Sequence, residues 1–144
     1  MNIEPNLNLD ELCEILKECS LPVSDLKTNE NCVFFSGRDA RSIDSCVGVE
    51  LFKNIALLRS LAVLPRNQGK GKGRALVHYA ENYCQLKGVQ SVYLLTTTAS
   101  SYFTSLGYGT VSRDLVPNEI KESTQYSSVC PSSAIIMFKN LVHG

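Results

Sequence analysis

Gln68-Gly69-Lys70-Gly71-Lys72-Gly73 follows an apolar run, Ala56 to Val63, and opens a helical stretch from Arg74 to Lys87. A strand, a glycine-rich turn and a helix in that order turn the first, unbonded helix amides outward. The helix dipole adds roughly half a positive charge at the same end. Glycine at 69, 71 and 73 keeps side chains clear of anything approaching the backbone, and Lys70, Lys72 and Arg74 add cationic charge. The arrangement suits a phosphate group. Taken alone, it also suits a solvated basic loop that caps a helix. Two familiar phosphate loops do not fit. A P-loop needs Ser or Thr after its Gly-Lys pair, but Lys72 is followed by Gly73. A dinucleotide fingerprint needs an acid about 20 residues further on, and Gln90 to Thr96 contains none.

The 144 residues are read as one domain, 1–144, large enough to bury a core without staples. Fourteen basic residues balance fourteen acidic ones, so no global field favours nucleic acid or an anionic membrane. The basic turn is a local exception, and it fits a compact phosphorylated ligand better than a long polyanion. The six cysteines (Cys13, Cys19, Cys32, Cys46, Cys84, Cys130) are scattered, and His78 and His143 are the only histidines, so no metal is expected. The sequence reads as having no signal peptide and no bilayer-spanning run, which points to a cytoplasmic protein with reduced, mostly core-filling thiols.

Ile3 to Pro5 reads as a short strand. Asn8 is an N-cap with Glu11 three residues on, and Leu9, Leu12, Cys13, Leu16 and Cys19 repeat at helical spacing up to the stop at Pro22. Cys32 to Ser36, Cys46 to Phe52 and Ile55 to Val63 are strands. The last two are joined by a Lys53-Asn54 hairpin in which Asn tolerates positive φ. Ala75, Leu76, Tyr79, Ala80 and Tyr83 share one face of the long helix, which Gly88 ends. Val92 to Leu95 reads as a strand covered on both sides. A short helix carrying Ala99, Tyr102, Phe103 and Leu106, a strand from Tyr108 to Val111, a helix near Pro117 and a strand from Ala134 to Phe138 follow. This order predicts an α/β domain with a mixed sheet.

These motifs resemble the GCN5-related N-acetyltransferase superfamily over essentially the whole chain. Its acyl-CoA loop, Gln/Arg-x-x-Gly-x-Gly/Ala after a strand, is matched by Gln68, Gly71 and Gly73. Its later signature, an aromatic helix ending in Leu-Gly-aromatic, is matched by Tyr102-Phe103-Thr104-Ser105-Leu106-Gly107-Tyr108. A closer resemblance, to a branch labelled arsenic-resistance N-acetyltransferases, rests on residues 58–63, 94–99 and 130–134. The resemblance implies a mostly antiparallel sheet with a splayed central parallel pair, flanked by helices, and acetyl transfer from acetyl-CoA to an amine. It implies that the backbone of Leu61, Ala62 and Val63 pairs with pantetheine. The Val63 amide would meet the thioester oxygen as charge develops, and the turn from Gln68 to Arg74 would hold the diphosphate.

Many members supply a tyrosine four residues before the signature glycine as a proton donor to the departing thiolate. Here that place holds Phe103. Tyr102 is adjacent, but one helical residue turns a side chain by about 100°, and its spacing with Ala99 and Leu106 is that of a core residue. It stands as core or as substitute acid. Arg59, alone in an apolar strand, is read either as a solvent-reaching residue or as a fork that clamps an anionic acceptor. Thr96, Thr97 and Thr98 end the central strand where open α/β sheets place ligands. Thr98 reads as cap chemistry, and Thr97 and Ser132 join Arg59 as acceptor candidates. His78 falls on the polar helix face. The expected activity is direct attack by a small, anionic amine in a ternary complex with acetyl-CoA. Acetylation of a protein N-terminus or lysine and a non-catalytic CoA sensor remain alternatives, and a homodimer is left open.

Overall fold

The computed structural model describes residues 3–21, 23, 32–38, 42–123, 126 and 134–141. After β1 (Ile3–Pro5), Asn8 starts α1 (Leu9–Glu18) as its sequence demands, its side chain accepting the Glu11 amide at 3.1 Å. The reciprocal half of that cap differs from expectation. Asn6 Oδ1 accepts the Asn8 amide, and the Glu11 carboxylate is drawn off to Asn6 Nδ2 and Arg38. The helix buries Leu12, Ile15 and Leu16.

β2 (Cys32–Arg38), β3 (Ile43–Phe52) and β4 (Ile55–Val63) form an antiparallel meander. Its hairpin pairs Phe52 with Ile55, so the two-residue turn is the predicted one. However, the residue at positive φ is Lys53, at 25°, rather than Asn54. α2 (Lys72–Leu86) crosses back to β5 (Ser91–Thr96), which lies parallel to β4. α3 (Ser100–Ser105), β6 (Gly109–Thr110), α4 (Asn118–Lys121) and β7 (Ile135–Asn140) complete the described elements. The seven strands run β1-β2-β3-β4-β5-β7-β6, and β4–β5 is the parallel pair among antiparallel neighbours.

Alternation along the strands sends side chains to two cores. On one face Val49, Leu58, Val92 and Leu94 pack on Leu76, Val77, Ala80 and Cys84 of α2 and on Phe103 of α3. On the other, α1 packs on Phe34, Cys46 and Ala62, while Leu57 and Ile136 pack on Val116 and Ile120. The α2 face is wider than its predicted stripe. It adds Val77, Glu81 and Cys84, with Tyr79 and Tyr83 half-buried beside Phe35.

Glu81 is a buried acid on that face. Tyr108 of the Leu-Gly-Tyr corner donates to it at 2.8 Å, and Lys139 of β7 reaches it at 3.1 Å while also donating to the Leu106 carbonyl. The cluster fastens α2 to the corner after α3. A hydrogen bond to a charged partner contributes about 1.5–3 kcal/mol, so Tyr108→Phe should lower the unfolding free energy by that amount in urea titration. Burial and the Glu81 carboxylate push the Tyr108 phenol far above its usual value. The contribution is therefore complete below about pH 10, and it should fall as pH rises further, because the unfolded tyrosine ionises first.

Candidate active site

β4 and β5 pair only at Ile55–Ser91, Ala56–Val92 and Leu57–Tyr93. Beyond Leu57 they diverge, leaving a cleft of about 380 Å³ walled by residues 58–63 on one side and 94–99 on the other. The divergence has a local cause in β4. Cys46 pairs with Ala62 but Gly48 with Arg59, so one extra residue of β4 faces Val47. Ser60 takes up this bulge with φ 57°, a left-handed conformation rare for a side-chain-bearing residue. Arg59 Nε donates to Ser60 Oγ at 3.1 Å, and the Cys46 thiol donates to the Ser60 carbonyl at 3.4 Å, which holds the bulge in place.

Strand alternation then fixes which backbone groups line the cleft. The Leu64 amide donates to the Asp44 carbonyl of β3, so Leu64 and Ala62 face β3 while Val63 and Leu61 face the gap. The Val63 carbonyl confirms the direction, accepting from the Gln68 side chain at 2.9 Å and from the Cys19 thiol at 3.7 Å. Of the three residues expected to pair with an extended ligand, Leu61 and Val63 present their peptide groups, and Ala62 is bound back into the sheet.

The glycine-rich turn adjoins the cleft through Gln68, which lines it, and through Gly73, which lies against Tyr102 on its wall. Helix α2 begins at Lys72, two residues earlier than predicted, with Gly71 as a left-handed N-cap at φ 80°. Gly69 also has φ 80°, and a Cβ on either glycine would meet nothing within 4 Å. Both keep the backbone open, as the sequence requires. Gly73 has another purpose. A Cβ there would lie 2.5 Å from Tyr102 Oη, so its missing side chain makes room for that tyrosine. The ammonium of Lys72 is likewise committed elsewhere, to the fully buried Asp44 carboxylate, which also accepts from Ser45 Oγ. Lys72 leaves only its backbone amide to the turn, while Lys70 and Arg74 remain exposed.

Tyr102 is not a core residue. It is 39% exposed, lines the cleft and stands edge-on to Phe103, which is the buried member of the pair. Burial raises the Tyr102 phenol above its usual value, and nearby Arg74 pulls it partly back, so it stays protonated at neutral pH. Arg59 also departs from the solvent-reaching alternative. It lines the cleft but is only 5% exposed, with Nη1 3.7 Å from Glu50 of β3. Gly48, its partner across the hairpin, makes this possible, since a Cβ there would strike Phe34 at 2.7 Å and Arg59 Cγ at 3.2 Å. Thr97 is exposed on the cleft wall. The cap expected of Thr98 is not formed: Ala99 is the N-cap of α3, without a side-chain cap bond, and its own amide donates to the Thr96 hydroxyl at 3.0 Å. Ser132 and Cys130 lie outside the described residues, and His78 is exposed as expected.

Sequence reasoning missed Ser60, Asp44, Glu50 and Gly48. Gly48 inside an apolar strand was the available signal, because a strand glycine marks a close approach. Counting back from the two-residue turn places it opposite Arg59. Neither the cleft thiol of Cys19 nor the core thiol of Cys46 is poised to react. Burial raises Cys19, and it pushes Cys46 up to about 12. Among the described residues no group of three metal-binding side chains converges, and no helix is long and apolar enough to cross a membrane.

The sheet is split at its parallel pair, and Gly73 in the first turn of α2 lies against Tyr102 on the wall of that split. The chain belongs to the GNAT acetyltransferase family: the model of the acetyltransferase (GNAT) domain matches residues 30–109. It is 31% identical over 110 residues to an uncharacterized N-acetyltransferase from Chlorobaculum tepidum, covering 75% of this chain and 70% of that protein. Among solved structures it is similar in fold to N-acetylglutamate synthase from Neisseria gonorrhoeae, complexed with coenzyme A and N-acetyl-glutamate. The TM-score is 0.82 at 15% identity, over 99% of this chain and 36% of that one, so the chain spans about a third of the synthase. It is also similar to the ribosomal-protein-S18-alanine N-acetyltransferase from Escherichia coli, with TM-score 0.77 at 19% identity over 99% and 95% of the two chains.

Proposed function

We propose that the protein transfers acetyl from acetyl-CoA to the amino group of a small, anionic molecule by direct attack in a ternary complex. The observation that carries this reading is the cleft itself, walled by cleft-facing peptide groups of β4 and lined at Gln68 by the start of the glycine-rich turn that leads into α2. Gly69 and Gly71 leave space for a diphosphate, and the amides of residues 69–74 receive it, with Lys70 and Arg74 adding charge. Acetyl-CoA supplies the activated thioester. Leu61 and Val63 pair with its pantetheine arm as an added strand would. Val63 lies at the loop end of β4, with its carbonyl tied to Gln68. The thioester lies at the far end of pantetheine from the diphosphate. We therefore assign the oxyanion contact to the Leu61 amide, next to the bulge, in preference to the Val63 amide.

A thiol with a reference pKa of about 8.5 leaves as an anion without a protein acid, which is consistent with Phe103 in the tyrosine's place. The described lining offers no carboxylate or imidazole, and in this reading the proton of the amine leaves through water. Arg59 and Thr97 favour an acceptor that carries a carboxylate or other oxyanion. Residues 58–63 and 94–99, two of the three stretches behind the resemblance to the arsenic-resistance branch, wall the cleft. Five described cysteines are free thiols, in keeping with a reducing, cytoplasmic setting.

The test is thiol release from acetyl-CoA with a panel of amines: amino acids, their methyl esters, and peptides with free N-termini. The expected result is turnover with amino acids, lost on esterification of the carboxylate. Turnover confined to peptides would move the acceptor to protein N-termini. Tight acetyl-CoA binding without turnover on any amine would leave a CoA-binding sensor.

A further inference from the structure

Tyr102 is a polar group of the cleft for which acetyl transfer, as argued above, has no use. Its hydroxyl rests on Gly73, in the first turn of α2, where the missing Cβ provides its place. Its ring is braced edge-on by Phe103 at 5.4 Å, and Phe103 is in turn braced by Tyr108 at 5.9 Å. Tyr108 is anchored to Glu81 of the same helix α2. The phenol is thus aimed from α3 at the end of α2 by a chain of packed rings, while the side chain stays 39% exposed on the cleft.

A rigid O–H beside a ring of outward-pointing amides is one more donor for the anion those amides receive. It lies against Gly73 of the turn, on a cleft that Ser60 also lines. We propose that the Tyr102 hydroxyl is a cofactor-binding group that donates to the diphosphate end of acetyl-CoA, with Gly73 kept small to seat it. The assignment rests on the functional reading above and deepens it: Tyr102 selects the phosphorylated carrier and leaves proton transfer alone.

The experiment compares wild type with Tyr102→Phe on two acetyl donors, acetyl-CoA and S-acetylpantetheine, which lacks phosphate. A hydrogen bond to a charged acceptor contributes about 1.5–3 kcal/mol. Tyr102→Phe should therefore raise the KM for acetyl-CoA roughly tenfold or more, change kcat less than about twofold, and leave kcat/KM for S-acetylpantetheine unchanged. Gly73→Ala supplies an independent check of the geometry. It should impair acetyl-CoA binding in wild type but add little in the Tyr102→Phe background, where the nearest ring atom to the new methyl is 3.5 Å away. A fall in kcat of about 100-fold with an unchanged KM would make Tyr102 a general acid and overturn the assignment. An equal loss on both donors would move the contact to pantetheine and also overturn it. Wild-type binding that is matched by Tyr102→Phe removes this assignment alone, whereas wild type that binds no acetyl-CoA removes the functional reading as well.

Discussion

Gly71→Glu is expected to lower acetyl-CoA affinity by at least about 100-fold, or about 2.7 kcal/mol, in calorimetric titration of a folded protein. Two causes act together. The new carboxylate occupies the open space beside the left-handed N-cap and competes for the amides that would receive the diphosphate. It also repels that diphosphate directly. Backbone strain is a separate cost, about 1–2 kcal/mol for an L-residue in this region, and Gly71→Asn measures it, because Asn tolerates the conformation. The asparagine variant should retain most of the affinity. If Gly71→Glu folds and binds acetyl-CoA as wild type does, the end of α2 does not hold the diphosphate, and the proposed function loses its basis.

Arg59→Ala should lower stability by about 3–5 kcal/mol, the usual result of removing one member of a buried ion pair. It leaves the Glu50 carboxylate, 4% exposed, without its arginine, and it removes the hydrogen bond to Ser60 at the bulge. Urea unfolding measures the loss. This variant therefore cannot by itself test whether Arg59 holds an anionic acceptor. Arg59→Lys keeps the charge but loses the planar fork. If the clamp is real, it should raise the KM for carboxylate-bearing amines while the KM for acetyl-CoA stays put. An equal effect on amines with and without a carboxylate would make Arg59 a support for the bulge alone. Full stability in Arg59→Ala would show that the pair with Glu50 contributes nothing.

The elements were legible because their signals are short-range. The Asn8 cap, the bounds of β4, the unobstructed glycines at 69 and 71 and the covered strand from Val92 to Leu95 each follow from a residue and its near neighbours. The order strand, glycine turn, helix made the open helix end legible, whereas the split of the parallel pair was expected only from the family resemblance. The roles of individual side chains in the cleft were less legible. Tyr102 and Phe103 have nearly the same local preferences, and only the packing of α3 against α2 decides which ring is buried.

The sequence by itself determined an α/β sheet with one crossover helix whose glycine-built end is free to meet an anion, because backbone conformation and apolar periodicity are local properties. The tertiary structure alone decided where the long polar side chains go. Lys72 turns to Asp44, 28 residues away, rather than outward from the glycine-rich turn. Arg59 turns inward to Glu50 because hairpin register sets it over Gly48. Gly73 makes room for Tyr102, 29 positions further on. A flexible cation pairs with whichever buried carboxylate the fold brings within reach, since leaving that carboxylate alone is costly. Such a choice is made only when distant segments meet.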